Sequence, residues 1–180
     1  MFSQQGFAPV RVTMACAVTV IAVIAALLPA TAAAQQAVIV VRHAEKIDQS
    51  DDAALSPDGR RRAKALAELL RTAGVTHIIA TEFRRTEETA APLAAALGLT
   101  VERVPARDFA ALAAKIHGFE PEAIVLVVGH SNTIPPMLAT LGWPNQLEIR
   151  DPDYDNVFVL TPRPGQRAAM VRLKYGKRTP

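Results

Sequence analysis

The chain has 180 residues, with 20 Lys and Arg against 17 Asp and Glu, so its formal net charge is only +3. So small an excess argues against a nucleic-acid partner, and the length suits one domain of ordinary size. The single cysteine, Cys16, excludes a disulfide framework.

At the N-terminus no charged residue falls between Val12 and Leu28, Arg11 gives a weak positive region ahead of that run, and Val18 to Leu28 is rich in Val, Ile, Ala and Leu. Ala32-Ala33-Ala34 then meets the small-residue requirement of signal cleavage. Residues 1–34 are therefore expected to be a signal peptide and residues 35–180 an exported domain, periplasmic or secreted. The alternative is an uncleaved anchor, since the uncharged run approaches the ~20 apolar residues that span a bilayer. Pro29 and the alanine triplet favour cleavage, which leaves a cysteine-free domain without a membrane segment and dependent on burial for its stability.

Beyond residue 36, short β-branched runs alternate with amphipathic stretches, the pattern of an α/β domain with a largely parallel sheet. Strands are expected at 37–41, 76–80, 100–104 and 124–128, each apolar through its centre, as in strands covered by helices on both faces. After the first strand, Ser56-Pro57 reads as an N-cap and first-turn proline, and Leu66, Leu69, Leu70 and Ala73 recur at helical spacing before Gly74. Ala90, Leu93, Ala94 and Leu97 mark a second helix closed by Gly98. Asp108 caps a third that carries Phe109, Leu112, Ala113 and Ile116. A fourth helix is expected at about 135–141, ending at Gly142, and 143–152 reads as a surface loop. Residues 156–160 and 168–174 form a final hairpin. These elements imply a single three-layer α/β/α domain with a mostly parallel sheet.

In such sheets ligands bind beyond the carboxyl ends of the strands. The first strand is followed there by Arg42-His43-Ala44-Glu45, the second by Thr81-Glu82-Phe83-Arg84-Arg85, and the fourth by Gly129-His130-Ser131-Asn132-Thr133. Two histidines and an arginine pair thus converge on one end of the sheet. A zinc site on His43 and His130 is a rival reading, but the two are far apart in sequence and have no Cys or His-x-His partner.

Val40 to Glu45 resembles the Arg-His-Gly signature of the histidine phosphatase superfamily, the phosphoglycerate-mutase-like phosphatases, with Ala44 in place of glycine. Thr81, Arg85, Thr89 and Ala90 resemble its second block, and Val127 to Asn132 its third, with the second histidine. The compact branch that acts on phosphohistidine proteins has the most similar layout. The resemblance implies that His43 is a covalent nucleophile on phosphorus and that Arg42, Arg85 and His130 bind the phosphoryl group, with no metal or cofactor. Thr81 is expected to cap the following helix, placing Arg85 in its first turn, where the helix dipole favours an anion. Asn132 either touches the phosphate or, like Thr133, caps the next helix.

The proton donor to the leaving group is not set by the resemblance. Ser131 stands where the acid-phosphatase branch has aspartate, and no insertion supplies the mutase glutamate. Glu82 and Glu45 are the carboxylates nearest the pocket in sequence, and Glu82 is preferred. The same compactness disfavours a mutase. The partner is accordingly expected to be a small phosphorylated molecule or a phosphoprotein, and the oligomeric state is not legible. A non-catalytic phosphate or phosphoglycan-binding module is the alternative. His77 reads as a strand-entry residue and His117 as a helix C-terminal one, Arg60 to Lys64 as a solvated helix face, and Tyr154-Asp155-Asn156 as a substrate rim.

Overall fold

The computed structural model describes residues 37–163 and 166–179, and the expected signal peptide, residues 1–34, lies outside them. Strands β1 (Ala37–Arg42), β2 (His77–Ala80), β3 (Val101–Arg103), β4 (Ile124–Gly129), β5 (Asn156–Thr161) and β6 (Ala169–Lys174) form one sheet in the order β3-β2-β4-β1-β5-β6. The first four are parallel; β5 runs antiparallel to β1, and β6 antiparallel to β5. The helices are α1 (Pro57–Leu70), α2 (Arg84–Leu97), α3 (Phe109–His117) and α4 (Ile134–Thr140). No helix among the described residues is long and apolar enough to cross a membrane.

Strand periodicity creates the three layers. Val38, Val40, Val125 and Val127 point into one core with Leu112, Ile116, Met137 and Leu138 of α3 and α4. Their neighbours Ile39, Val41, Leu126 and Val128 point into the other, with Leu66, Leu70, Leu93 and Ala94 of α1 and α2. The chain steps outward from β1 to β2 and β3, then returns to β4 between β1 and β2. Right-handed crossovers in opposite directions lay their helices on opposite faces, which separates α3 from α1 and α2.

The expected caps of α1 and α3 are present: Ser56 Oγ accepts from Gly59 N at 3.0 Å and Asp108 Oδ1 from Ala111 N at 2.9 Å. Gly98 closes α2 at φ 67°, a conformation that favours glycine. Thr81 does not cap α2. Phe83 holds the N-cap position with no side-chain bond, and Asp52 Oδ1, from a distant loop, accepts from Arg84 N at 2.7 Å. A carboxylate meets both the free N–H and the positive helix end there. Segment 143–152 is more than a surface loop, because Ile149 is buried and Trp143 and Leu147 pack on the core under α3 and α4.

The run from Arg60 to Lys64 is not uniformly solvated. Arg62 is buried, its Nε donates to both Glu45 carboxylate oxygens at 2.9 and 3.0 Å, and its terminal nitrogens donate to the carbonyls of Tyr175 and Lys177. Residues 62, 66 and 70 share one helix face, so Arg62 lies in line with Leu66 and Leu70 and faces inward with them. The same turn approaches the exit of β1 so closely that a Cβ on Gly59 would overlap the Glu45 carbonyl oxygen. Arg62→Leu, which strands the Glu45 carboxylate, is expected to lower stability in urea unfolding by about 3 kcal/mol. Arg61→Leu on the exposed face is expected to change it by less than about 0.5 kcal/mol.

Candidate active site

The pairing of β1 with β4 builds the centre of the site. Register sets Arg42 opposite Gly129, so the next residues, His43 and His130, leave neighbouring strands side by side. His43 N extends the ladder by donating to Gly129 O at 2.9 Å, and the two imidazole centroids are 5.2 Å apart. On the other side of β4, Ala80 of β2 lies opposite Val128, which brings Thr81 and the first turn of α2 alongside. Arg42, His43, Arg85 and His130 all line one cleft of about 820 Å³.

His43 is held in one tautomer. Its Nδ1 lies 2.8 Å from Ala44 O; a carbonyl only accepts, so Nδ1 carries the hydrogen and Nε2 keeps its lone pair. Burial pushes its pKa down to about 3; the bond to Ala44 opposes this, and the charges of His130, Arg42 and Arg85 add to it. The ring is therefore neutral at ordinary pH. Ala44 is in turn fixed to α2: its N–H donates to Thr89 Oγ1 at 2.9 Å, and that hydroxyl donates to Arg85 O at 2.7 Å.

His130 has the converse arrangement. A guanidinium only donates, so Nδ1, 3.3 Å from Arg85 Nη2, accepts. Nε2–H then donates to Thr81 Oγ1 at 2.9 Å, Thr81 donates to Thr86 Oγ1 at 2.9 Å, and Thr86 donates to Phe83 O at 2.6 Å. This relay, rather than helix capping, is what buries Thr81. Burial, then Arg85, Arg42 and Lys46, lowers the His130 pKa to about 4.

Both arginines are held largely by neutral acceptors, so their charge remains available to a ligand. Arg42 Nη1 donates to the carbonyls of Arg150 and Asp151 at 3.1 and 2.6 Å. Its Nη2 reaches Asp151 Oδ1 and Tyr154 Oη, each at 3.3 Å, and the guanidinium lies 4.0 Å from the Tyr154 ring centroid. Arg85 Nη1 donates to Asp51 O at 2.6 Å, with its guanidinium 4.3 Å from the Phe83 ring. Burial lowers the Arg85 pKa, and Asp52, Asp51 and Glu82 oppose the shift. The Nε–H of each arginine is buried without a partner among the described residues.

Neither expected acid lines the cleft. Glu45 is committed to Arg62, and Glu82 Oε2 accepts from Ala106 N at 2.8 Å. Asn132 does line it, beside Ser131 and Thr133. Thr133 sits at the N-cap of α4 but turns its hydroxyl back to accept from His130 N at 3.0 Å, which stiffens the turn carrying that histidine. His77, stacked on Phe119, and His117, the last residue of α3, are outside the lining. No group of three or more His, Cys, Asp or Glu among the described residues could hold a metal ion. Sequence reasoning missed the stacking role of Phe83, the hold of 150–151 on Arg42, and the cleft position of Lys46. The aromatic next to the Arg84-Arg85 pair was a legible signal for the first of these.

Residues 38–108 match the family model of the histidine phosphatase superfamily (branch 1). A probable phosphoglycerate mutase, GpmB, of Enterobacter sp. (strain 638) is 38% identical over 71 residues, which cover 36% of this chain and 33% of that protein. The chain spans about a third of the length of the curated relatives it matches. Among solved structures, a mycobacterial glucosyl-3-phosphoglycerate phosphatase in complex with VO3 superposes with a TM-score of 0.63 at 18% identity, over 79% of this chain and 100% of that one. The protein histidine phosphatase SixA complexed with tungstate gives a TM-score of 0.63 at 18% identity, over 77% and 96% of the two chains. These two likenesses establish the fold.

Both imidazoles are held neutral at pH values where an unfolded histidine, with a pKa of 6.5, is protonated. Between pH 6.5 and about 4 the unfolded chain therefore binds more protons than the folded one, and stability falls as pH falls. Urea midpoints measured from pH 7 to pH 4.5 are expected to show this slope, worth of order a few kcal/mol in all. His43→Asn is expected to reduce it by about half, leaving the contribution of His130.

Proposed function

We propose that the chain, whose residues 38–108 match the histidine phosphatase family model, hydrolyses a phosphomonoester or phosphoramidate through a phosphohistidine on His43. The observation that carries the proposal is the Nδ1–H bond of His43 to Ala44 O, which leaves an uncharged Nε2 lone pair in a cleft lined by two guanidinium groups. Arg42 and Arg85 offset the charge of the phosphoryl dianion, which otherwise repels a nucleophile. Nε2 forms the N–P bond as the bond from phosphorus to the leaving group breaks on the far side. His130 takes up a proton as the dianion enters and donates it from Nδ1 to a phosphoryl oxygen, while Nε2 stays on Thr81. Water then attacks phosphorus, the N–P bond breaks, and orthophosphate leaves with His43 restored.

The leaving group takes its proton from solvent through the open cleft, because Glu45 and Glu82 are both engaged elsewhere. Their engagement is also the observation that favours the second reading, a phosphate or phosphoglycan-binding module without turnover. Export of the domain after cleavage near Ala34 belongs to the same proposal and rests on the uncharged run and alanine triplet of the N-terminal sequence. N-terminal sequencing of protein recovered from outside the cytoplasm should begin close to Gln35, and retention of Met1 would overturn the cleavage.

Hydrolysis of p-nitrophenyl phosphate should persist in EDTA and fall by at least about 1,000-fold in His43→Ala. Acid-labile phosphate trapped by rapid quench should be found on His43. Undiminished turnover in His43→Ala would sink the covalent mechanism, whereas binding of phosphate with no turnover from pH 4 to pH 8 would establish the binding module.

A further inference from the structure

The cleft is larger than a phosphoryl group requires. At about 820 Å³ it falls in the range that houses a whole small-molecule ligand, so the leaving group also meets its walls. Those walls carry two cations that the phosphoryl chemistry does not use. Lys46, two residues beyond Ala44, is half-buried, and its ammonium is close enough to His130 to help lower that residue's proton affinity. Among the described residues its Nζ donates only to Gln49 Oε1, at 3.2 Å, a neutral acceptor that also lines the cleft. Arg107 enters from the loop between β3 and α3 and, among the described residues, has no acidic or hydrogen-bonded partner.

The distribution of negative charge sharpens the point. The cleft has two carboxylates, and both attend the phosphoryl arginines: Asp151 Oδ1 lies 3.3 Å from Arg42 Nη2, and the Asp51 charge supports that of Arg85. Among the described residues no carboxylate of the cleft lining attends Lys46 or Arg107; the acid near Lys46 is Asp48, which is exposed and outside the lining.

We propose that Lys46 and Arg107 form a second anion subsite, so that the substrate is a small phosphorylated molecule whose leaving group carries a further negative group, a carboxylate or another phosphate. The inference rests on the reading of the same cleft as a phosphoryl site. It assigns specificity to two side chains on separate loops, one after β1 and one after β3. The rim is solvated and each pairing there is modest in water, so each cation should contribute about threefold to tenfold in affinity.

The test uses phosphonates, which bind without being hydrolysed and so read the subsite independently of turnover. Calorimetric titration of the full chain compares 4-carboxybenzylphosphonate with its neutral isostere 4-carbamoylbenzylphosphonate, and likewise the 3-substituted pair. In at least one pair the carboxylate should bind about tenfold tighter than the amide. Lys46→Gln and Arg107→Gln should each reduce that ratio by about threefold or more, and the double variant should bring it near one. A ratio near one in both pairs of the unaltered protein, or one that survives the double variant, overturns the subsite. Failure of all four phosphonates to bind overturns the phosphoryl reading itself, and with it the subsite.

Discussion

The site depends first on the parallel pairing of β1 with β4. Six registered residue pairs end on Arg42 opposite Gly129, and one further hydrogen bond, from His43 N to Gly129 O, carries the alignment past the strand ends. Side chains alternate along a strand, so a slip of one residue would turn His43 away from His130 and exchange the two hydrophobic cores. That slip is opposed by every buried valine and isoleucine of the two strands. The energy that fixes the chemistry is therefore hydrophobic burial on both faces of the sheet, exerted on residues that have no part in the reaction.

Charge is managed by a second principle. Cations buried beside carboxylates lose their attraction for an incoming anion, whereas cations held by carbonyls keep it. Arg42 rests on the carbonyls of residues 150 and 151, and Arg85 on that of Asp51, while aromatic faces of Tyr154 and Phe83 confine the two guanidinium planes. Both histidines stay neutral in this field, and their opposite tautomers follow from what each ring meets. A carbonyl acceptor faces Nδ1 of His43, and a guanidinium donor faces Nδ1 of His130. Equivalent positions on adjacent strands thus differ in the nitrogen that keeps its lone pair, which is the basis for the different roles proposed for them.

Most of this was legible where local pattern and long-range packing agree. The strands β1, β2 and β4 are continuous apolar runs, and the residues just beyond them are the cleft residues, so Arg42, His43, Arg85 and His130 could be named from sequence. Neither expected acid lines the cleft, because nearness in sequence says nothing of partnership. Glu45 is taken by Arg62, whose inward orientation was available in its spacing of four and eight from Leu66 and Leu70 but was obscured by the surrounding basic run. The segment that holds Arg42 was illegible for another reason. It is aperiodic coil, and it meets Arg42 across more than a hundred residues of chain, where no local rule applies. The antiparallel placement of β5 against β1 was unreadable on the same grounds.

The carbonyl hold on Arg42 has a consequence for how the protein can change over evolutionary time. A main-chain oxygen is present whatever side chain follows it, so substitutions at positions 150 and 151 that preserve the local path leave most of the grip on the guanidinium in place. The side chain of Asp151 is 98% exposed and lines the mouth of the cleft, where drift can reshape what enters. The mouth can therefore diversify while the charge beneath it stays fixed, which separates the evolution of selectivity from that of reactivity.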